Sequence, residues 1–179
     1  MNKAVFLDKD GTINDSLGYL GHYKELNLLP HSAEAIKLLN EAGYKTIVIS
    51  NQSGIARGYF SEDMVQAIDK TLQKYLLNQG AFIDAFYYCP HHPEKNCDCR
   101  KPNIELINKA VKRFDIDIKS SFFIGDNTTD MMAGKKAGLK TIFVLTGHGK
   151  KKLDEVKASH NPDYIADHLL EAVKWILKK

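Results

Sequence analysis

The sequence lacks any apolar run that approaches the roughly 20 residues needed to span a bilayer. Its first apolar stretch, residues 4–7, leads directly into charged residues and is too short for the core of a signal peptide. We therefore expect a cytoplasmic protein without a membrane partner.

Strong charge of either sign is also missing. The 25 basic and 22 acidic residues leave a formal net charge of +3, and the basic residues are scattered along the chain. Proteins that bind nucleic acids concentrate Lys and Arg in a patch or stripe, so we expect no nucleic-acid partner. The single basic run, residues 150–152, is interpreted as the solvated start of a helix.

Cysteine is scarce, and all three cysteines fall within residues 89–99. An odd number in one short segment is a poor basis for a disulfide framework. Cys89, His91, Cys97 and Cys99 instead offer three thiolates and one imidazole, a ligand set for tetrahedral zinc with no open position. We predict a structural zinc site here; His92 in place of His91, and buried thiols without a metal, are the alternatives.

Apolar strand-like runs alternate with helix-like segments along the chain. The expected strands are residues 4–7, 44–50, 82–89, 121–125 and 141–145. The expected helices are residues 32–43, 61–80, 103–114 and 130–138. Because the strands are apolar on both faces, this pattern predicts a parallel sheet with helices on both sides.

We predict one α/β domain over residues 1–179, built on a doubly wound sheet of five parallel strands. A length of 179 residues suits a single domain, and no linker, repeat or low-complexity segment divides the chain. Residues 150–179 are expected to form a helical C-terminal tail, and residues 89–99 a zinc-binding loop.

Polar residues follow three of the predicted strands. Asp8 and Asp10 follow the first strand, Ser50 ends the second, and Asp126 follows the fourth. In doubly wound sheets, ligands bind outside the carboxyl ends of the strands. Any one of these residues could simply cap a helix or a turn, but three carboxylates at one edge would repel each other. The grouping therefore favours a hard cation, Mg²⁺, with room for a phosphate.

These residues resemble the four motifs of the haloacid dehalogenase superfamily. The motifs are DKDGT from Asp8, the strand-ending Ser50, Lys101 after the third strand, and GDxxxD ending at Asp130. The resemblance covers residues 8–130 and implies a Rossmann-like fold and a phosphatase reaction. The gaps after the first and third predicted strands are too short for the large cap domain that this superfamily often carries.

The resemblance also implies a role for each motif residue. Asp8 would be the nucleophile that forms an aspartyl-phosphate, and Asp10 would protonate the leaving oxygen and later activate water. Mg²⁺ would be bound by the side chains of Asp8 and Asp126 and by the backbone carbonyl of Asp10. Ser50 and Lys101 would hold the phosphoryl oxygens. Asp130 would orient Lys101 or a metal-bound water.

Within the superfamily, the zinc loop, residues 50–58 (SNQSGIARG) and residues 100–102 (RKP) resemble the D-glycero-D-manno-heptose 1,7-bisphosphate phosphatases. That resemblance implies loss of the C7 phosphate, a heptose 1-phosphate product for nucleotide-activated heptose, and His91 as the fourth zinc ligand. It also implies a set of substrate-contacting residues: Asn14, Ser16, Tyr19, Asn51, Gln52, Ser53 and Arg100. We expect a monomer, with Pro102 starting the next helix. His148 is interpreted as an ordinary loop histidine.

Other functions remain as alternatives. The histidinol-phosphate phosphatases share the zinc loop, and the short spacing between His91 and Cys97 is closer to theirs, although the SGIARG sequence favours the heptose enzymes. This spacing leaves the preferred anomer open. A DNA 3′-phosphatase would need a basic stripe that is missing here. A receiver-like signalling module is disfavoured by Asp10, whose acid would promote hydrolysis of a lasting phosphoryl group. A zinc-stabilised interaction domain is disfavoured because no expected catalytic residue is missing.

Overall fold

The structure, a computed structural model, describes residues 1–15 and 18–179 and contains a six-stranded sheet. The strands are β1 Ala4–Leu7, β2 Lys45–Asn51, β3 Ala85–Cys89, β4 Phe122–Gly125, β5 Lys140–Val144 and β6 Tyr164–Ala166. Their order across the sheet is β3-β2-β1-β4-β5-β6, and every neighbouring pair is parallel. This is the doubly wound arrangement that the sequence predicts.

Helices cover both faces of the sheet. They are α1 Ser32–Glu41, α2 Glu62–Leu77, α3 Glu105–Phe114, α4 Thr128–Lys136, α5 Gly149–Ser159 and α6 Leu169–Ile176. The start of α2 shows why the local sequence is helical: the Ser61 hydroxyl accepts a hydrogen bond from the Met64 N–H, and two acids follow in the first turn. In the described part of the chain, no helix has the length and apolar character to cross a bilayer.

The core lies in two layers because successive strand residues point to opposite faces. Val5 and Leu7 pack in the larger apolar cluster with residues of α1, α2 and α6. Ala4 and Phe6, one position out of phase, pack in the second cluster with residues of α3 and α4. A strand buried on both faces must be apolar at every position, which explains the unbroken run over β1.

The C-terminal region differs from the sequence-based expectation. The tail predicted to be helical contains β6, Tyr164–Ala166, which pairs with β5 and makes the sheet six-stranded rather than five-stranded. A three-residue edge strand has no periodicity that could identify it, and its register with β5 is a tertiary contact. Pro102 also differs from the prediction: it lies in a turn, and α3 begins later, at Glu105.

The strand order changes direction between β1 and β4, so the carboxyl ends of these two strands and of β2 lie side by side. Such a switch point forms a crevice for ligands. Between β1 and α1, the described residues hold one short 3₁₀ helix, Tyr23–Glu25, and the β3–α3 connection holds another, Pro93–Lys95. Neither connection, as far as the structure describes it, contains a large cap domain over the crevice.

We predict that Gly134→Ala destabilises the fold. Gly134 lets α4 approach the sheet closely, and a Cβ there would lie 2.6 Å from Thr141 Cγ2 and 3.0 Å from Phe123 Cβ, both on buried residues. Overpacking should lower the free energy of unfolding by about 1–3 kcal/mol, measured by urea denaturation. Gly21→Ala, where a Cβ meets nothing within 4 Å, is the control. Equal stability of the two variants would contradict the prediction.

Candidate active site

Lys101 lies at the centre of the carboxylate cluster. Its Nζ is 2.6 Å from Asp8 Oδ1 and 2.7 Å from Asp130 Oδ1, and it donates to the Ile49 carbonyl at 2.6 Å. Burial by itself would lower the pKa of Lys101, but Asp130 and Asp8 outweigh burial and raise it, so the side chain stays a cation. The structure thus brings together residues from the first, third and fourth predicted motifs.

Asn51 fixes the backbone of Lys101. The Asn51 side chain accepts from the Lys101 N–H at 3.0 Å and donates to the Lys101 carbonyl at 3.2 Å. These paired bonds join the end of β2 to the end of the zinc loop, 50 residues further along the chain. Asn51, predicted to contact substrate, lines the cavity but uses its amide on Lys101.

Both carboxylate oxygens of Asp10 accept hydrogen bonds from side-chain amides. Asn14 Nδ2 donates to Oδ1 at 2.9 Å, and Gln52 Nε2 donates to Oδ2 at 2.8 Å. Gln52 Nε2 also lies 3.4 Å from Ser50 Oγ. Asn14 is 0% exposed, so the structure places it against Asp10 inside the protein rather than at the surface of the cavity, where substrate contact was predicted.

The carboxyl groups of Asp8, Asp126 and Asp130 are crowded together. One oxygen each of Asp8, Asp126 and Asp130 lies within 4.8 Å of the others. Burial first, then Asp8 and Asp130, raises the pKa of Asp126 to about 8. The pKa of Asp130 is raised to about 7 by burial, against the opposing effect of Lys101. A divalent cation would relieve this crowding, so the residues present suit Mg²⁺.

The loop after β5 closes the site from the other side. The His148 N–H donates to Asp126 Oδ2 at 2.7 Å, and the Thr146 hydroxyl donates to the Gly11 carbonyl at 2.6 Å. Gly11 has φ +86°, and a Cβ there would collide with Asp126 Oδ2, so only glycine suits this position. His148 is an exposed residue of the turn after β5, as its interpretation as a loop histidine predicts; it also lines the cavity and contacts Asp126 through its backbone N–H.

A cavity of about 230 Å³ lies over the carboxylate cluster. Its lining includes Asp8, Asp10, Tyr19, Gln52, Arg100, Lys101, Asp126 and Asp130. Arg100 Nη1 is buried and has no hydrogen-bond partner among the described residues. Tyr19, which lines the cavity, has its OH 3.2 Å from Ser53 Oγ, so the two predicted contact residues touch each other. Ser16, also predicted to contact substrate, lies outside the described residues.

The three cysteines and His91 form a second cluster. Adjacent ligand atoms lie 3.5 Å (Cys89 Sγ to Cys97 Sγ), 3.6 Å (Cys97 to Cys99), 3.2 Å (Cys99 to His91 Nδ1) and 3.7 Å (His91 to Cys89) apart. A tetrahedron with metal–sulfur distances of about 2.3 Å and metal–nitrogen distances of about 2.1 Å has edges of roughly 3.5–3.8 Å. Three of the four distances fall in this range and the distance between Cys99 and His91 is shorter, so the cluster is compatible with zinc.

His91, rather than His92, stands in this cluster. His92 instead accepts a hydrogen bond from the Glu94 N–H at 3.4 Å at the start of a 3₁₀ helix. Burial raises the pKa of the Cys89 thiol to about 12. A cation is needed to hold this buried sulfur as a thiolate, as zinc ligation requires.

Comparisons with known proteins agree with this fold. Residues 98–172 match the family model described as HAD-hydrolase-like. A D-glycero-beta-D-manno-heptose-1,7-bisphosphate 7-phosphatase from Pasteurella multocida (strain Pm70) is 40% identical over 174 residues, which cover 93% of this chain and 95% of that protein. A D-glycero-alpha-D-manno-heptose-1,7-bisphosphate 7-phosphatase from Photorhabdus laumondii is 36% identical over 177 residues, with 94% and 97% covered.

A solved structure shows the same similarity. The D,D-heptose 1,7-bisphosphate phosphatase from B. bronchiseptica, complexed with magnesium and phosphate, superimposes with a TM-score of 0.92 at 31% identity and covers 98% of each chain. The sheet order and the carboxylate cluster define the class of HAD-like hydrolases. Within that class, this chain belongs to the D-glycero-D-manno-heptose-1,7-bisphosphate 7-phosphatase family. It is therefore a phosphoric monoester hydrolase.

We predict that Cys97→Ser releases bound zinc and lowers Tm by roughly 5 °C or more, because the metal links distant parts of a long loop. Metal content by mass spectrometry and thermal unfolding are the measurements. His92→Ala is the matched control and should keep one zinc per chain. Full zinc content in the Cys97 variant, or its loss in the His92 variant, would show that the ligand set is wrong.

We also predict that Mg²⁺ stabilises the protein more at about pH 8.5 than at about pH 5.5. Because the pKa of Asp126 is raised to about 8, the metal-free folded protein keeps a proton that the unfolded chain has lost, and stability falls as pH rises towards 8. Mg²⁺ binds the ionised carboxylates and removes this loss. Differential scanning calorimetry should show the larger Tm increase at high pH. Asp126→Asn should remove the difference; an equal increase at both pH values in the unchanged protein would contradict the prediction.

Proposed function

We propose that this protein is a Mg²⁺-dependent phosphatase that removes the C7 phosphate of D-glycero-D-manno-heptose 1,7-bisphosphate and leaves heptose 1-phosphate. One observation supports this substrate above others: a single cavity offers two places for anions. Asp8 and Lys101 mark the reacting phosphate, and the buried, unpartnered Nη1 of Arg100 is available for the second. Arg is suited to bidentate contact with phosphate oxygens.

In the first step, a carboxylate oxygen of Asp8 attacks phosphorus, and the bond from phosphorus to the C7 oxygen breaks. Asp10 donates its proton to that leaving oxygen, which departs as the sugar hydroxyl. The result is an aspartyl-phosphate on Asp8 and an ionised Asp10. Splitting the reaction into two steps lowers a very high barrier: unaided hydrolysis of phosphate monoesters is so slow that enzymes accelerate it by up to about 10²¹-fold.

In the second step, Asp10 removes a proton from water, and the oxygen of that water attacks phosphorus. The bond between phosphorus and Asp8 breaks, which releases inorganic phosphate and restores both carboxyl groups to their starting states. Asn14 and Gln52 donate one hydrogen bond to each oxygen of Asp10. These bonds fix the orientation of the Asp10 carboxylate that acts as base.

Charge control is the remaining requirement. Lys101 and the Ser50 hydroxyl hold the oxygens of the transferring phosphoryl group, and Asp130 orients Lys101 from 2.7 Å. Asp8 and Asp126 would hold Mg²⁺ together with the Asp10 carbonyl. When bound, Mg²⁺ offsets negative charge on the phosphoryl group.

The zinc loop serves as a brace in this proposal. Its last cysteine, Cys99, directly precedes Arg100 and Lys101, so a metal that fixes residues 89–99 also fixes both cations over the cavity. All of these residues come from one chain, which supports one complete site per monomer and one domain over residues 1–179. Three zinc-binding thiolates suit the reducing conditions of the cytoplasm.

The test is phosphate release by the purified protein with Mg²⁺ on three substrates: the α and β anomers of heptose 1,7-bisphosphate, and histidinol phosphate. We expect at least one heptose anomer to be preferred in kcat/KM by about a hundredfold or more, because histidinol phosphate has no second phosphate for Arg100. NMR of the product should show loss of the C7 phosphate alone. A preference for histidinol phosphate would contradict the substrate proposal and leave the phosphatase chemistry intact.

Asp8→Asn is the control for mechanism. Its kcat should fall by about three orders of magnitude or more, because the amide is not a nucleophile. The far-ultraviolet circular dichroism spectrum should be unchanged. Retained turnover in a folded variant would refute the assignment of Asp8.

A further inference from the structure

Lys9 stands between the two reacting aspartates but does not face the cavity. Its side chain is 2% exposed, and Nζ lies 2.9 Å from Asp69 Oδ1 on α2. Asp69 is 12% exposed in its side chain and lines a separate groove of about 700 Å³ along α2 and β3. Asp8 and Asp10 line the catalytic cavity instead. Asp8 and Asp10 therefore face the catalytic cavity, whereas the side chain of Lys9, which lies between them in the sequence, points into the protein.

Lys9 forms a nearly fully buried ion pair with Asp69. Fully buried lysines are rare unless paired. An ion pair of this kind often adds no stability over an apolar pair of similar size, so we look for its role in what the pair holds in place.

The backbone of Lys9 is the centre of the catalytic loop. Its carbonyl accepts hydrogen bonds from the N–H groups of Thr12, Ile13 and Asn14 at 3.2, 2.8 and 3.2 Å. Asn14, placed by this turn, then donates its side-chain amide to Asp10. The position of Lys9 thus determines where the support for Asp10 lies. Fastening the Lys9 side chain to α2 limits movement of the whole turn.

We infer that Lys9 and Asp69 form a positioning pair that holds the catalytic loop against α2 and sets the placement of Asp10 as proton donor. The inference rests on the proposed roles of Asp8 and Asp10 and extends them to two residues outside the cavity's catalytic set. The inference concerns one step of the reaction: the pair promotes proton transfer to the leaving oxygen, in addition to any contribution that it makes to folding.

The experiment compares two substrates that differ in their need for that proton. The leaving group of heptose bisphosphate is a sugar alkoxide, which must be protonated. The leaving group of para-nitrophenyl phosphate is a weakly basic phenolate, which needs no proton. For both, kcat/KM reports the transfer of phosphate to Asp8. We expect Lys9→Met to lose about tenfold or more on heptose bisphosphate and about threefold or less on para-nitrophenyl phosphate.

Two further variants separate positioning from folding. In Lys9→Met with Asp69→Leu, no unpaired charge stays buried, so the protein should fold and show the same selective loss. Lys9→Arg keeps the cation and should recover activity on both substrates. Lys45→Met is the matched control, because the Lys45–Asp84 pair has a similar nitrogen–oxygen distance, 2.8 Å, at the opposite end of β2.

The outcomes are distinct. Equal loss on both substrates would show a merely structural pair and overturn the inference, as would unchanged activity in the folded double variant. Failure of the unchanged protein to release phosphate from either substrate would instead refute the proposed function. If the unchanged protein hydrolyses another alkyl phosphate better than heptose bisphosphate, that ester replaces it in the comparison, and the same selective loss supports the inference.

Discussion

The buried cation of Lys101, held between Asp8 and Asp130, is the interaction on which the site depends. Three carboxyl groups within 4.8 Å of one another would repel strongly in a buried crevice, and one ammonium group at 2.6–2.7 Å offsets part of that repulsion. Much of the surrounding structure serves to deliver this group. Asn51 binds its backbone, and the cluster of cysteines and His91 shapes the loop that leads to it.

The remaining excess of negative charge gives the site its chemistry. Burial and the neighbouring carboxylates raise the pKa of Asp126 to about 8 and that of Asp130 to about 7, so the ionised forms of these two groups are disfavoured in the metal-free site. A divalent cation would offset the excess negative charge that three ionised carboxylates leave against one ammonium group. Asp10, the proposed proton donor, has each of its carboxylate oxygens bound by a neutral side-chain amide, whereas Asp126, a proposed Mg²⁺ ligand, belongs to the carboxylate cluster.

Much of the fold and most of the candidate site were predictable from local signals. β1 is apolar at every position because both faces are buried, and Asp8 follows it directly, so the strand and its functional end were both visible. Ser61, followed by two acids, predicted the start of α2, and the structure shows Ser61 capping that helix. β6 was missed because three residues carry no usable periodicity. The contacts of the His148 N–H with Asp126 and of Asp69 with Lys9 were missed because they join segments far apart in the chain.

The sequence by itself determined which chemical groups are present and where they lie along the chain. These groups are the motif aspartates, the cysteines and histidine of the candidate zinc site, and the basic pair that follows them. Spacing and periodicity are local properties, and they are enough for that. Only the tertiary structure decided which groups pair: Asn14 and Gln52 with Asp10, Asn51 with Lys101, and Lys9 with Asp69. Such pairings depend on the packing of helices against a sheet, since hydrogen bonds and ion pairs between distant segments require atoms within about 3 Å, a condition that no local pattern specifies.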